Sequence, residues 1–362
     1  MPRSRHHQSK ITSQDVASHA GVSRATVSAV LNGSRYVSEA LIRRVQDAVD
    51  ALGYTPNVVA RSLKTQRTHT IGLVIPNVLS PIWALITRSV ELRARELGFN
   101  TIICDTDEDP ATERDCVNLL TAKQVDGLII APCGVDSEER LMPLFREKPL
   151  VFVDRAPHTL PVDYITPDKP AGAETAVRHL VEQGARRIAI IGNTNPGQET
   201  YLDDEWLGGY KNGLRAAGLP LDERLIRMGR RGPHSESDGY TNTLALLRQS
   251  QPPDAIIACT HFTTMGVLRA ARELHVAIPD DLALVGYEEV IYTEYVKPSL
   301  SVVHQPWDDV GRLAVDVLVR RLDSGIDREQ PDLPQHYVLP VRLIIRDSSR
   351  LAVKNPSGSP RR

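Results

Sequence analysis

Two textures of apolar and polar positions divide the chain. Over the first 56 residues the apolar positions recur at helical spacing, and nothing reads as a strand. Val16, Ala17 and Ala20 share one helix face; Thr12 is placed to cap that helix with Asp15 three residues on, and Gly21 is a left-handed stop. Ser23 opens a second helix. Ser38 opens a third, in which Leu41, Ile42, Val45, Ala48, Val49 and Leu52 form one stripe before Gly53. From Thr70 the pattern changes to short apolar runs, TIGLVIP, NTIIC, DGLIIAP, PLVFVD, RIAIIG, DAIIAC and DLALVGY, which read as buried strands. Amphipathic stretches at 82–97, 110–124, 170–183, 204–217, 238–249 and 263–275 lie between them. This alternation predicts parallel sheets with helices on both faces, and the run of about 270 residues holds two such units.

The short turn at Gly21 between the first two helices has the form of a helix-turn-helix. On a second helix from Arg24 to Leu31, Val27, Val30 and Leu31 point into a three-helix core, while Arg24, Ala25, Ser28 and Ala29 fall on the opposite side. Such small residues let a helix approach base edges, Arg24 can bond guanine bidentately, and Ala25 or Ala29 can touch a thymine methyl. Ser23, Thr26 and Asn32 are candidate phosphate contacts, and Thr12 at the start of the first helix joins the DNA-facing set. The alternative is an ordinary capped surface helix.

Charge favours the first reading once it is divided along the chain. The net charge is only −2, yet residues 1–68 carry ten Lys/Arg against four Asp/Glu, and the remainder 33 against 41. A small basic module on a larger acidic body suits one end that meets phosphate. The opening MPRSRHHQSK is expected to be a flexible basic arm over 1–10, without the apolar segment of a signal peptide, and no run approaches the roughly 20 residues of a membrane span. A cytoplasmic protein is therefore expected. Cys104, Cys116, Cys133 and Cys259 are scattered, as reduced thiols are, and neither a metal nor a cofactor is called for. An enzyme on doubly wound sheets remains the alternative from another class, although no G-x-G-x-x-G after a strand, G-x-x-x-x-G-K-[ST], G-x-S-x-G or H-E-x-x-H occurs. A solute-binding protein would fit the body but not the basic module.

The segment TSQDVASHAGVSRATVSAVLNG at 12–33, followed by VSE at 37–39, LGYTPN at 52–57 and ARSL at 60–63, resembles the DNA-binding headpiece of the LacI/GalR family of bacterial repressors. The likeness continues through Ile71-Gly72, Ser80-Pro81, Val153-Asp154-Arg155, His179-Leu180, Arg186 to Ala189, Gly209-Tyr210, Val285-Gly286-Tyr287 and Gln305, over about residues 11 to 347. It implies an N-terminal all-α helix-turn-helix headpiece (11–56) plus an α/β periplasmic-binding-protein-like body (70–347) of two interleaved, doubly wound parallel-sheet subdomains. Between them, 57–69 would hold a hinge helix and linker, and 348–362 is expected to be a disordered tail. The resemblance further implies a homodimer on double-stranded operator DNA, controlled by a small-molecule effector, a sugar or related metabolite, with no membrane partner. Asn57, Ala60 and Leu63 would belong to the hinge, with Leu63 wedged into the minor groove. Ala29 departs from the long polar side chain that many members carry there, which leaves Arg24 and Ala25 with more of the discrimination.

For the effector, the resemblance implies Asp154, Thr260, Glu288 and Gln305 as polar contacts and Ser80, Trp83 and Trp307 as walls. The pattern breaks at three places. Trp206 stands where the family has arginine, Thr260-His261 replaces Asn-Asp, and Glu288 is one methylene longer than the usual aspartate. The sugar-hydroxyl clamp is therefore incomplete. Arg230 and Arg231 leave an anionic effector conceivable, a solvated charge pair being the alternative.

Overall fold

The computed structural model describes residues 11–32, 37–54, 67–155, 160–194, 199–230, 235–324 and 333–351. They form two units, divided after Thr68.

In the first unit, α1 (Ser13–Ala20), α2 (Arg24–Asn32) and α3 (Glu39–Leu52) close over Val16, Ala17, Ala20, Val27, Val45 and Ala48. The Thr12 hydroxyl accepts the Asp15 N–H while the Asp15 carboxylate accepts the Thr12 N–H, so two orphan donors are satisfied reciprocally. Ile42 departs from the expected stripe and is 38 % exposed. With 14 residues, α3 outruns the 8 and 9 of α1 and α2, and its first turn lies beyond their cover.

The second unit opens with β1 (Thr70–Ile75), α4 (Pro81–Glu96), β2 (Asn100–Asp105), α5 (Pro110–Ala122), β3 (Gly127–Ile130), α6 (Val135–Phe145), β4 (Leu150–Val153) and β5 (Asp163–Pro167). It continues through α7 (Lys169–Glu182), β6 (Ile188–Thr194), α8 (Glu199–Ala216), β7 (Ile226–Arg230), α9 (Ser235–Leu247), β8 (Ala255–Ala258), α10 (His261–Glu273), β9 (Ala283–Tyr287) and β10 (Ser301–His304). Then come α11 (Trp307–Ser324), β11 (His336–Leu339) and β12 (Arg342–Ile344). Two six-stranded sheets result, ordered β11-β5-β4-β3-β1-β2 and β12-β10-β9-β8-β6-β7. Every pairing is parallel except β10 with β12. The apolar runs read as strands are β1, β2, β3, β4, β6, β8 and β9; of these β3, β4, β8 and β9 are buried throughout, as strands covered by helices on both faces must be.

The chain passes between the sheets three times, after β5, β10 and β11, so neither lobe is one continuous segment. Helix α11 shows what this achieves. It follows a strand of the second sheet but buries Trp307, Val310, Ala314, Val315 and Leu318 in the first lobe's core. Gly311 permits that packing: a Cβ there would lie 2.0 Å from Ser89 Oγ and 2.9 Å from the Ile86 carbonyl.

Residues 348 and 349, expected in a disordered tail, are ordered. Ser348 and Ser349 are fully buried, Ser348 donating to the Leu284 carbonyl (2.7 Å) and Ser349 to Ser301 Oγ (2.6 Å), with His179 Nε2 at 2.7 Å from Ser349. Serine-rich composition suggests solvent, but these short hydroxyls find partners on the second sheet, which makes their burial affordable. Residues from 352 onward lie outside the described set.

Candidate ligand cleft and nucleic-acid interface

In the headpiece, Gly21 adopts φ +62° and its N–H reaches the carbonyls of Ala17 and Ser18. The Arg44 guanidinium donates to the Ala20 carbonyl at 2.6 Å, and a Cβ on Gly21 would stand 2.9 Å from it. The turn is thereby clamped by α3. Ser23 Oγ accepts the Thr26 N–H at 3.0 Å and caps α2, leaving Ser23, Arg24 and Ala25 exposed and Thr26 and Ser28 half-buried. Ala29, expected on the open face, is only 9 % exposed and so does not belong to it. Asn32 ends α2, and its side chain, with Asn57, Ala60 and Leu63, lies outside the described residues.

In the body, a cleft of about 650 Å³, partly open to solvent, lies between the carboxyl ends of the two sheets, the place where open parallel sheets bind ligands. Ser80, Trp83, Asp154, Trp206, Thr260, Glu288, Gln305 and Trp307 all line it. Asn77, Glu108, Arg155, Asn193, Ser235, His261 and Phe262 join them without having been picked out as site residues.

On the first lobe, Asp154 follows β4 with φ +68°, its N–H bonded to the Ile165 carbonyl. Lys169 at the head of α7, only 1 % exposed, places Nζ 2.9 Å from Asp154 Oδ1 and 2.6 Å from its carbonyl, and 5.5 Å over the Trp206 ring. Arg155, 2 % exposed, donates to both Glu108 oxygens (2.7 and 2.9 Å) and to the Pro132 carbonyl. Burial acts to lower the Arg155 pKa, but the Glu108 charge and hydrogen bond outweigh it, so the guanidinium is held above its ordinary range.

On the second lobe, Thr260 caps α10 by accepting the Thr263 N–H at 3.1 Å, and the Thr263 hydroxyl donates to Asn193 Oδ1. Asn193 Nδ2 donates to Ser235 Oγ at 2.8 Å. Glu288 follows β9 with φ +75°, the counterpart of Asp154 on the other sheet. Its carboxylate accepts the His261 N–H at 3.0 Å and meets His261 Nδ1, while the His261 ring lies 3.9 Å from the Phe262 ring. Two non-glycine residues in left-handed backbone at matching strand ends are costly, by about 1–3 kcal/mol each, and such strain concentrates at binding sites.

Five buried nitrogens on lining residues lack a hydrogen bond among the described residues: Arg155 Nε, Trp206 Nε1, His261 Nε2, Gln305 Nε2 and Trp307 Nε1. The carboxylates of Glu108, Asp154 and Glu288, by contrast, are each engaged by Arg155, Lys169 or His261. The thiols are not nucleophiles. Burial pushes Cys133 up to about 12 and Cys116 to about 11, and raises Cys259 further. No group of three or more His, Cys, Asp or Glu among the described residues is placed to hold a metal.

The sequence signal for Arg155 and His261 was their position directly after strand-end residues already singled out. Glu108 and Lys169 gave none, because their partners are distant in the chain.

A helix-turn-helix unit followed by a two-lobed body with a polar cleft is the build of a ligand-responsive DNA-binding regulator. Residues 12–57 match the model of the bacterial regulatory proteins of the lacI family, and residues 177–349 match a periplasmic binding protein-like domain. The chain is 33 % identical over 320 residues to the ribose operon repressor of Escherichia coli K12, covering 88 % of this chain and 95 % of that one. Among solved structures, the lac repressor dimer bound to operator and an anti-inducer aligns with TM-score 0.81 at 25 % identity, over 94 % of this chain and 99 % of that one. The regulator CelR in complex with cellobiose aligns with TM-score 0.69 at 30 % identity, over 93 % and 99 %. The chain belongs to the LacI family: it is a DNA-binding transcriptional regulator of repressor type, not an enzyme.

Proposed function

We propose that this regulator binds a near-palindromic operator as a homodimer, reading bases with Arg24 and Ala25 of α2, and that a small polar metabolite of the sugar type, held in the cleft, alters that binding. Ser23, Thr26, Ser28 and Asn32 would contact the backbone and groove, with Thr12 at the edge, and Asn57, Ala60 and Leu63 would form the hinge. One observation carries the effector assignment. Side chains from both sheets converge on a single cleft in which five buried nitrogens have no partner among the described residues, so a ligand rich in oxygen acceptors would satisfy them. A ligand shifts an equilibrium only through unequal affinity for two states, and contacts drawn from both lobes strengthen when the lobes close. The likeness to operator-bound and cellobiose-bound relatives supports both halves of this reading. On this reading the protein works on DNA in the cytoplasm; none of the described helices is long and apolar enough to cross a membrane.

The test is selection of bound sequences from random DNA by the full chain, followed by operator binding with a panel of sugars and sugar derivatives. A two-fold symmetric motif and a compound that shifts its affinity are expected. Enrichment of no motif would overturn the DNA assignment.

A further inference from the structure

Glu288 occupies the place of an acid that would bind a ligand directly, yet its carboxylate is engaged by both the backbone N–H and Nδ1 of His261. His261 is 4 % exposed and lines the cleft, and its second nitrogen, Nε2, has no partner among the described residues. The pair thus fixes the imidazole and leaves one nitrogen for something else. Four other nitrogens of the lining, on Arg155, Trp206, Gln305 and Trp307, are likewise without an acceptor. Each lining carboxylate already has a partner in the chain. What the cleft lacks is acceptors, and a carboxylate brings two oxygens and no donor, whereas a hydroxyl brings both.

Helix direction adds to this. Ser80 and Trp83 belong to the start of α4, Ser235 to that of α9, Thr260, His261 and Phe262 to that of α10 and Trp307 to that of α11, so four helix N-termini border the cleft. N-terminal ends carry partial positive charge and favour an anion.

We propose that the effector is a sugar acid, and that His261, positioned by Glu288, is the specificity-determining residue that donates from Nε2 to its carboxylate. The inference rests on the cleft being the effector site. Because Nδ1 already faces the Glu288 carboxylate, Nε2 donates only from the doubly protonated ring, whose charge Glu288 and the ligand carboxylate would offset together.

The experiment is titration calorimetry on the full chain with D-gluconate, D-glucuronate and D-galacturonate, each beside neutral D-glucose or D-galactose, and with variants His261→Ala and His261→Gln. At least one acid is expected to bind about tenfold or more tighter than its neutral counterpart. His261→Ala abolishes the acid-to-neutral preference. His261→Gln, whose amide donates from about the Nε2 position, keeps the preference, which a merely loosened cleft would not do. Equal or tighter binding of the neutral sugar, no binding of any acid, or an acid preference that survives His261→Ala overturns the proposal. A neutral sugar that binds and shifts operator affinity would do so while upholding the cleft as the effector site. Binding that Trp307→Ala and His261→Ala both leave unchanged would remove the ligand from the cleft and defeat the wider reading.

Discussion

Between Ser23 and Ala25 the candidate DNA contacts are neighbours in the chain, exposed, and held by one cap and one clamped turn, whereas the cleft draws Asp154, Thr260, Glu288 and Trp307 from the ends of four different elements and buries their partners. In the headpiece, the proposed recognition and the folding use different faces of α2: Val27 is in the core while Arg24 is outside it. In the cleft the same side chains do both. Arg155 and Lys169 neutralise acids of the proposed ligand cleft and are themselves among the most buried residues of the body. A change on the reading helix should therefore alter binding alone, and a change in the cleft should alter binding and stability together.

The largest effect that would test this contrast is expected for Arg155→Met. It strands the Glu108 carboxylate, and removing one partner of a buried pair costs about 3–5 kcal/mol, read as a shift in the denaturant midpoint of the body. An unchanged midpoint would mean that the pair does not hold the lobe. Gly266→Ala tests packing beneath the site: its Cβ would meet the Glu236 carbonyl at 2.4 Å and the Tyr240 nitrogen at 2.5 Å, so α9 and α10 must separate, with an expected loss of about 1–3 kcal/mol.

Arg24→Ala should leave the unfolding midpoint alone and weaken operator binding by about 1–3 kcal/mol per half-site, with relaxed preference at one base pair. Measured across single-base operator variants, a uniform loss would make Arg24 a phosphate contact instead.

The smallest effects lie in acid. Burial lowers the pKa values of His179 and His304 below the ordinary 6.5. A depressed histidine supports folding above its unfolded value and withdraws that support as pH falls through the folded one, so the body loses stability from about pH 6.5 downward. In the headpiece the hydrogen bonds from the Thr12 backbone and hydroxyl lower Asp15 below 3.8, so its contribution is intact at pH 5 and fades only below about pH 4. Melting followed by separate probes of the two units between pH 7 and pH 3 should show the body responding first; a headpiece that responds first would contradict both assignments.

The sequence alone determined what local interactions govern. The Thr12–Asp15 box, the Gly21 stop and the Ser23 cap involve partners within four residues, and the runs that became β1, β3, β4, β8 and β9 carry their burial in their own composition. Short or edge strands left less trace: β5, DYITP, and β11, HYVL, mix polar with apolar positions, and β12 has three residues. The tertiary structure decided who meets whom. Sheet order sets Glu108 beside Arg155 and Glu288 beside His261, and the return of the chain after β10 brings Trp307 from the second sheet's side into the first lobe's core. Ala29 and Ser349 show the same limit from the other side. Helical position suggested exposure for Ala29 and composition suggested it for Ser349, yet both are buried, Ser349 within hydrogen-bond reach of a buried His179. Pair energies across the cleft depend on distance and on exclusion of water, and neither quantity exists until the two sheets have formed.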